Sequence, residues 1–346
     1  MTAGDSAPRL CVIPGDGIGR EVVPVAVEVL RAALPGLACE EAEAGWECFR
    51  ARGKAVPAQT LDAVRRCGAA LFGATASPGY KVPGYRSAVL ELRQRLGLYA
   101  NIRPVASRPG VSPRGGVDLV VVRENTEDLY AGRESREGNT AVAQRVITAA
   151  ASRRIAQAAM RLAVQRGARK ITIVHKANVL PLTDGLFRDS VRDVIAAWPG
   201  GPGIEVEECY VDVAALRVVA APESFDVVVT TNLFGDILSD AAAHWGGGLG
   251  VAPSLNLGEP VAIAEPVHGS APDIAGTGAA NPTAAILSVA LLAEHVWQRP
   301  YVARRIEHAI TAALAGGAHQ RPPVLASVRA AVLSHLESGI PEHANR

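Results

Sequence analysis

The chain has 346 residues, of which 49% are hydrophobic and 20% charged. That composition excludes global disorder and is enough to build cores for about two domains. Thirty-five basic residues against 34 acidic ones leave a net charge of +1. This gives neither nucleic acid nor an anionic membrane an electrostatic footprint to bind, so any anionic ligand would need a local group of arginines.

The five cysteines, at positions 11, 39, 48, 67 and 209, form no CxxC pair. They point to neither a disulfide framework nor a zinc site. The N-terminus lacks a secretory pattern and no apolar run is long enough to span a bilayer, so a soluble cytoplasmic protein is expected.

Elements follow in chain order. Residues 9–13 read as a strand, and "IPGDGIGREVV" (13–23) turns it into a helix over 20–34. The spacing is G-x-G-x-G, not the dinucleotide fingerprint G-x-G-x-x-G, so it reads as a tight turn that needs glycine backbone freedom. A helix at 58–67 and a strand at 69–74 follow. "LRQRLGLYANIRP" carries Arg93 and Arg103, and the apolar strand at 117–123 ends in Arg123, where α/β folds place ligands. Three arginines could clamp two carboxylates bidentately, or each could be a surface ion pair. Tyr130 is a proton-transfer candidate or a core-edge aromatic. Residues 131–144 read as an exposed arm.

A helix over 151–167 leads to a strand over 170–175, which ends at Lys176 and Asn178. Lys176 is a candidate base or a solvated strand-end lysine. A helix at 183–197 and a strand at 204–211 precede Asp212, and a strand at 225–231 precedes "NLFGDILSD". In a helix over 236–245, Asp236 and Asp240 lie four apart on one face, close enough to coordinate one hard cation such as Mg²⁺ or Mn²⁺ with Asp212 as a third donor. Alternatively Asp236 caps the helix and Asp240 is solvated. Residues 246–260 read as a connection between domains. "EPVHGSAPDIAGTGAANP" (265–282) reads as a long loop whose amides, His268 and Asp273 could hold a nucleotide. Helices over 284–298, 302–315 and 324–337 close the chain. The alternation of apolar strands with amphipathic helices is that of an α/β protein.

The stretches "IPGDGIG", "LYANIRP", "RENTEDLYAG", "HKANVLPLTDGLF", "TTNLFGDILSD" and "EPVHGSAPDIAGTGAANPTAAI" together resemble the isocitrate/isopropylmalate dehydrogenase family of metal-dependent β-decarboxylating dehydrogenases. The resemblance runs from about Arg9 to about Val296. It implies two interleaved α/β domains around a mixed, largely parallel sheet. The first domain is formed by 1–103 plus 250–346 and the second by 104–249, which would carry a dimer clasp arm. Asp236 and Asp240 resemble the metal ligands of one subunit, and Asp212 the ligand given by its partner in a homodimer or tetramer. Arg93, Arg103 and Arg123 resemble the clamp on the malate carboxylates. Tyr130 matches the general acid and Lys176, reaching across the dimer, the general base. Asn178 matches a neighbouring substrate and cofactor contact. The resemblance also implies an NAD cradle of Thr75, Asn232, Glu265, His268, Gly269, Ser270, Ala271, Pro272, Asp273, Ile274 and Asn281, with Asp273–Ile274 as the NAD-type pair. In this family the first glycine loop is not a dinucleotide fingerprint.

The implied reaction is oxidative decarboxylation of a 3-substituted malate to a 2-oxo acid and carbon dioxide. The third substituent should be read by "KVPGYRSAVLELR" (81–93), which mixes Arg86 and Ser87 with Val89 and Leu90. Ser87 falls where isocitrate-type enzymes touch the distal carboxylate, and Arg86 could bind a distal anion. "GYRSAVLELRQRLGLYANIRPV" is closest in pattern to homoisocitrate dehydrogenases, which makes homoisocitrate the expected substrate and 2-oxoadipate the product. Isocitrate, 3-isopropylmalate, malate or tartrate analogues and a 3-(phosphonomethyl)malate are the alternatives. A non-catalytic regulatory subunit is the rival of another class. Such subunits usually lose a metal aspartate, the lysine or the tyrosine, and here all are present.

Overall fold

The computed structural model describes residues 7–80, 82–199 and 203–338. The outer ends expected for the first domain, and Lys81 at the start of the 81–93 segment, lie outside these residues. The chain forms two compact α/β units. One runs to Leu96, takes in Arg108–Ser112 and resumes at Gly247; the other comprises Gly97–Ser107 and Pro113–Gly246.

The first unit opens with β1 (Arg9–Gly15), α1 (Gly19–Ala33), β2 (Ala38–Glu41), α2 (Trp46–Arg52), α3 (Ala58–Cys67), β3 (Ala69–Ala74) and α4 (Ala88–Arg95). The second unit follows with β4 (Ala100–Ala106), β5 (Asp118–Glu124), β6 (Glu134–Glu137), β7 (Thr140–Ala143), α5 (Ala149–Arg166), β8 (Lys170–His175), α6 (Thr183–Ala196), β9 (Glu205–Tyr210), α7 (Val211–Ala220), β10 (Val227–Thr230) and α8 (Asn232–Gly246). The chain then returns to the first unit with β11 (Pro253–Leu257), β12 (Ala262–Pro266), α9 (Thr283–Leu291), α10 (Pro300–Ala315) and α11 (Val324–Ser338).

The two units repeat one pattern. In the first, β2, β1, β3 and β12 pair in parallel in that order and β11 runs antiparallel to β12. In the second, β5, β10, β8 and β9 pair in parallel and β4 runs antiparallel to β5. The inner strands are apolar throughout, as in "AALFGA" and "VVVT", because helices cover both faces. On one face of the second unit Val105, Leu119, Val121, Val174 and Val228 pack against Val218 of α7 and Leu238 and Ala242 of α8. Left-handed glycines end the helices at Gly68 and Gly167, and Thr148 caps α5 by accepting from the Ala151 amide at 3.2 Å.

Two expectations need correction. Residues 246–260 are not a bare connection, because Pro253–Leu257 is a full ladder partner of β12. Strands β2, β11 and β12 and helices α2 and α4 carry too few residues of one period to announce themselves, and Arg103 and Pro104 interrupt the apolar run of β4. α8 begins at Asn232, not at 236, since the Gly235 amide already reaches the Thr231 carbonyl at 2.9 Å; Asp236 is therefore inside the helix and does not cap it. The 131–144 arm is a hairpin, β6 with β7, whose residues are all exposed. Among the described residues no helix is long and apolar enough to cross a membrane, and the five cysteines are free.

Candidate active site

The second unit places its polar residues at the carboxyl ends of its parallel strands. Arg123 is the penultimate residue of β5, Asn232 follows β10, Lys176 follows β8 and Asp212 follows β9. The strand period decides where Arg123 points. It shares a face with Leu119 and Val121, the face covered by α8. Its ladder partner is Asn101, while Arg103 lies opposite Val121, so all three polar side chains leave the sheet toward α8.

The guanidinium of Arg123, 1% exposed, meets α8 where the helix has no side chain. A Cβ on Gly235 would lie 2.6 Å from Arg123 Cγ. Arg123 donates from Nε and Nη2 to Asn232 Oδ1 at 2.9 and 2.7 Å and from Nη1 to Asp236 Oδ1. Arg103 donates to Asn101 Oδ1 at 2.7 Å, to Ser239 Oγ at 2.8 Å, to Asp240 Oδ1 at 2.7 Å and to Asp236 Oδ1 at 3.4 Å. Tyr130 donates its hydroxyl to Asp236 Oδ2, and its ring lies 5.0 Å from the Arg123 guanidinium carbon. Burial, the hydrogen bond to Asp236 and its charge push the Tyr130 hydroxyl pKa up, against the pull of Arg123. Burial and Asp236 push the Asp240 carboxyl up, against Arg103 and Arg123.

Two carboxylates four residues apart therefore coexist because two guanidiniums face them. The charges balance within the cluster, so a di- or trianionic ligand would find no surplus cation there. A hard divalent ion would supply one. The donor set fits it, being two carboxylates on one helix face that already turn oxygens toward cations. Among the described residues no three Asp, Glu, His or Cys side chains of one chain stand together as a metal site. Asp212, in the first turn of α7, instead pairs with Lys176, whose Nζ lies 5.7 Å from the Tyr210 ring centroid. The Lys176 hydrogen bond holds the Asp212 carboxyl below the usual range. Asn178 lies exposed in the turn after Lys176.

The first unit holds the other candidates. Arg93 on α4 donates to Glu265 Oε1 at 2.7 Å, an oxygen also reached by Asn256 Nδ2 at 2.9 Å. Both charged side chains are under 10% exposed, and Arg93 Nε is buried without a partner, a donor left over for an anion. Arg86 is exposed and donates to Gln94 at 2.9 Å, while Ser87 stands at the N-cap of α4 without a side-chain cap bond. Thr75 follows β3.

In the 265–282 loop, Glu265 belongs to β12 and Asn281 Oδ1 accepts from the Thr283 amide and hydroxyl at 3.0 and 2.7 Å. Gly269 and Pro272 to Ile274 are exposed, Ser270 is nearly buried, and Ala271 takes φ +38°. His268 Nδ1 lies 3.0 Å from the Gly269 carbonyl, so it carries the proton and leaves Nε2 an acceptor; burial lowers the ring's pKa, and Nε2 has no partner. A buried orphan acceptor in an amide-rich loop fits a ligand that brings hydroxyl or amino donors, as a dinucleotide does. The first glycine loop braces this segment. Ile18 donates its amide to the Ser270 carbonyl at 2.9 Å, and a Cβ on Gly17, φ +53°, would lie 2.1 Å from that oxygen.

Sequence reasoning passed over Asn101, Gly235, Ser239 and Asn256. A two-residue strand offset links Asn101 to Arg103, and a three-residue helical offset links Ser239 to Asp236. Those two were legible in principle, whereas Gly235 and Asn256 become visible only through their distant partners.

Comparison with known proteins returns one family. A model described as isocitrate/isopropylmalate dehydrogenase matches residues 9–330. The isocitrate/homoisocitrate dehydrogenase of Thermus thermophilus is 53% identical over 311 residues, covering 90% of this chain and 92% of that protein. The 3-isopropylmalate dehydrogenase of Methanothermobacter thermautotrophicus is 47% identical over 310 residues, covering 89% and 91%. A crystal structure of isocitrate dehydrogenase from Methylococcus capsulatus matches with a TM-score of 0.88 at 40% identity, covering 95% of this chain and 99% of that one.

Gly235→Ala tests the helix contact. Alanine ordinarily stabilises a helix interior by about 0.5–1 kcal/mol over glycine. Here the added methyl meets the Arg123 stem, and the expected outcome is a loss of roughly 1–3 kcal/mol, read as a lower denaturation midpoint in urea. A raised midpoint would show that Arg123 moves aside freely.

Proposed function

The chain belongs to the isocitrate/isopropylmalate dehydrogenase family, and from that premise we propose that it oxidatively decarboxylates a 3-substituted malate, with NAD⁺ and Mg²⁺ or Mn²⁺, as a homodimer. Homoisocitrate is the substrate the residues favour, giving 2-oxoadipate. The observation that carries the reading is the cluster in which Arg103, Arg123 and Tyr130 meet Asp236 and Asp240.

Each residue has a task that its surroundings suit. Asp236 and Asp240 would hold the metal, with Asp212 of the partner subunit completing the set. Bound there, a divalent cation supplies Lewis acidity at the substrate hydroxyl and charge stabilisation during loss of carbon dioxide. Arg103 and Arg123 would turn donors from the aspartates to the substrate carboxylates, with fixed planar forks that set one orientation. Arg93 has its buried Nε left for a further carboxylate oxygen. Lys176 would take the hydroxyl proton as hydride leaves for NAD⁺. Tyr130, kept protonated by its surroundings, would return a proton to carbon. Arg86, exposed at the entry to α4, would read a distal carboxylate, with Ser87 beside it. The Thermus thermophilus relative named for isocitrate and homoisocitrate supports this choice over an apolar substituent.

The cofactor would lie on the 265–282 loop with Thr75 and Asn232 as further contacts. His268 Nε2 would accept from a ribose hydroxyl or the adenine amino group. Asp273 is exposed and would accept from ribose while repelling a 2′-phosphate. The dimer reading rests on α7 and α8. Val213, Leu216 and Val219 recur every three residues on α7 and are exposed, Leu216 by 67%, as is Ile237 on α8. A stripe of this kind marks an interface, and Asp212 and Lys176 stand at its end. The β6–β7 hairpin would be the clasp. We place the enzyme in the cytoplasm, where five free cysteines persist.

Homoisocitrate, isocitrate and 3-isopropylmalate should be compared by NADH absorbance with Mg²⁺, with Mn²⁺ and with EDTA. Homoisocitrate is expected to give the highest kcat/KM, and chelation to abolish turnover. Full turnover in EDTA, or oxidation of none of the three, would sink the reading. Asp273→Lys with Ile274→Tyr should move the NAD/NADP preference toward NADP by about tenfold or more, the worth of one charge-assisted contact. Unchanged selectivity in competition assays would show that the cofactor lies elsewhere.

A further inference from the structure

Arg145 stands two residues past β7, at the foot of the exposed arm, yet its side chain is largely buried. Its donors go to three separate segments. Nε reaches Asp128 Oδ1 at 2.6 Å, Nη1 reaches Asp184 Oδ2, and Nη2 reaches Thr231 Oγ1 at 2.8 Å and Asp128 Oδ2 at 3.4 Å. The guanidinium carbon lies 4.7 Å from the Phe234 ring centroid. Both aspartates are fully buried, so this guanidinium answers two carboxylates that water does not reach.

Each of these contacts lands within two residues of a group in the proposed site or, for Asp184, on a side chain bonded to the backbone of one. Asp128 precedes Tyr130 by two residues; its carboxylate also accepts from the Leu129 and Leu233 amides at 2.9 and 3.0 Å, and its φ of +70° is a conformation that non-glycine residues hold only when fixed from outside. Asp184 accepts the backbone amide of Lys176 at 2.8 Å. Thr231 precedes Asn232, which holds Arg123 through two hydrogen bonds. One planar fork thus ties the tyrosine turn, the lysine turn and the start of α8 to a common point. A lysine ammonium could not span it, being a single point charge.

We propose that Arg145 is a positioning residue for both proton-transfer groups, Tyr130 and Lys176. This rests on the shared-site reading above. If Lys176 serves the partner's site while Tyr130 serves its own, each Arg145 supports two active sites, the acid of one and the base of the other.

Three measurements separate the possibilities. Arg145→Lys keeps the charge and should leave a folded dimer by circular dichroism and light scattering. Its kcat should fall by about 100-fold, the scale of an ångström of misplacement, with KM for substrate and cofactor nearly unchanged. A wild-type kcat, or a loss confined to KM, would overturn the proposal. Should R145K not assemble, Asp184→Asn weakens the ion pair by which Arg145 holds the lysine turn and should show the same split between kcat and KM. Next, hybrid dimers of Tyr130→Phe with Lys176→Met are purified on two affinity tags. Recovered activity upholds the shared site, and none refutes that reading while leaving the homodimer result to decide the role of Arg145. Last, a hybrid of wild type with Arg145→Lys should fall far below half of wild-type activity, because both sites contain one loosened group. About half would mean that Arg145 serves only one group, and the two-site role fails.

Discussion

The side chain of Arg123 is the point on which the second unit's site turns. It lies at the end of a buried strand, on the face that packs against α8, and it can stay there only because Gly235 gives it room and because Asn232 and Asp236 occupy its donors. A buried guanidinium without those acceptors would be untenable, and truncating one partner of such a group costs on the order of 3–5 kcal/mol. The same contact fixes the carboxylate of Asp236, and through it the Tyr130 hydroxyl and the nearby Arg103. Position, charge balance and hydrogen bonding are therefore one constraint here.

That constraint explains how a pair of aspartates shares one helix face, since Arg103 and Arg123 offset their mutual repulsion. The two guanidiniums hold the carboxylates at fixed places, with acceptor oxygens already oriented. Preorganisation of this kind would limit how far the side chains must reorganise for the metal ion and anionic substrate of the proposed reaction. In the proposed reaction the same arginines would serve twice, toward the aspartates and toward substrate oxygens.

The first unit solves a different problem. Its long loop after β12 has little regular structure, and it is kept in shape from outside. The turn between β1 and α1 presses on the Ser270 carbonyl at Gly17, and Glu21 Oε1 accepts from the Gly276 amide at 2.7 Å. The glycine-rich turn that invites a dinucleotide reading thus acts as a brace for the segment proposed to do the binding. The Asp16 carboxylate accepts amides of Trp46, Glu47 and Ala76, so it too holds loops together.

Much of this was legible in the amino-acid order. Apolar runs marked the inner parallel strands, and four-residue spacing put Asp236 and Asp240 on one helix face. A strand-end arginine and a strand-end lysine stood where α/β folds keep ligands, because these are local, periodic facts of the backbone. The partners of those residues were not legible. Strands β4 and β11 are mixed in character, with Arg103 and Pro104 in one and Pro253, Ser254 and Asn256 in the other, so their pairing with β5 and β12 is not announced by an apolar run. Asn256 joins Arg93 and Glu265, and Arg145 joins Asp128, Asp184 and Thr231, across separations no local pattern encodes. The sequence by itself determined which side chains are chemically competent and which face each presents. Only the tertiary structure decided which charges meet, because a buried ion pair is chosen by the packing that excludes water from around it.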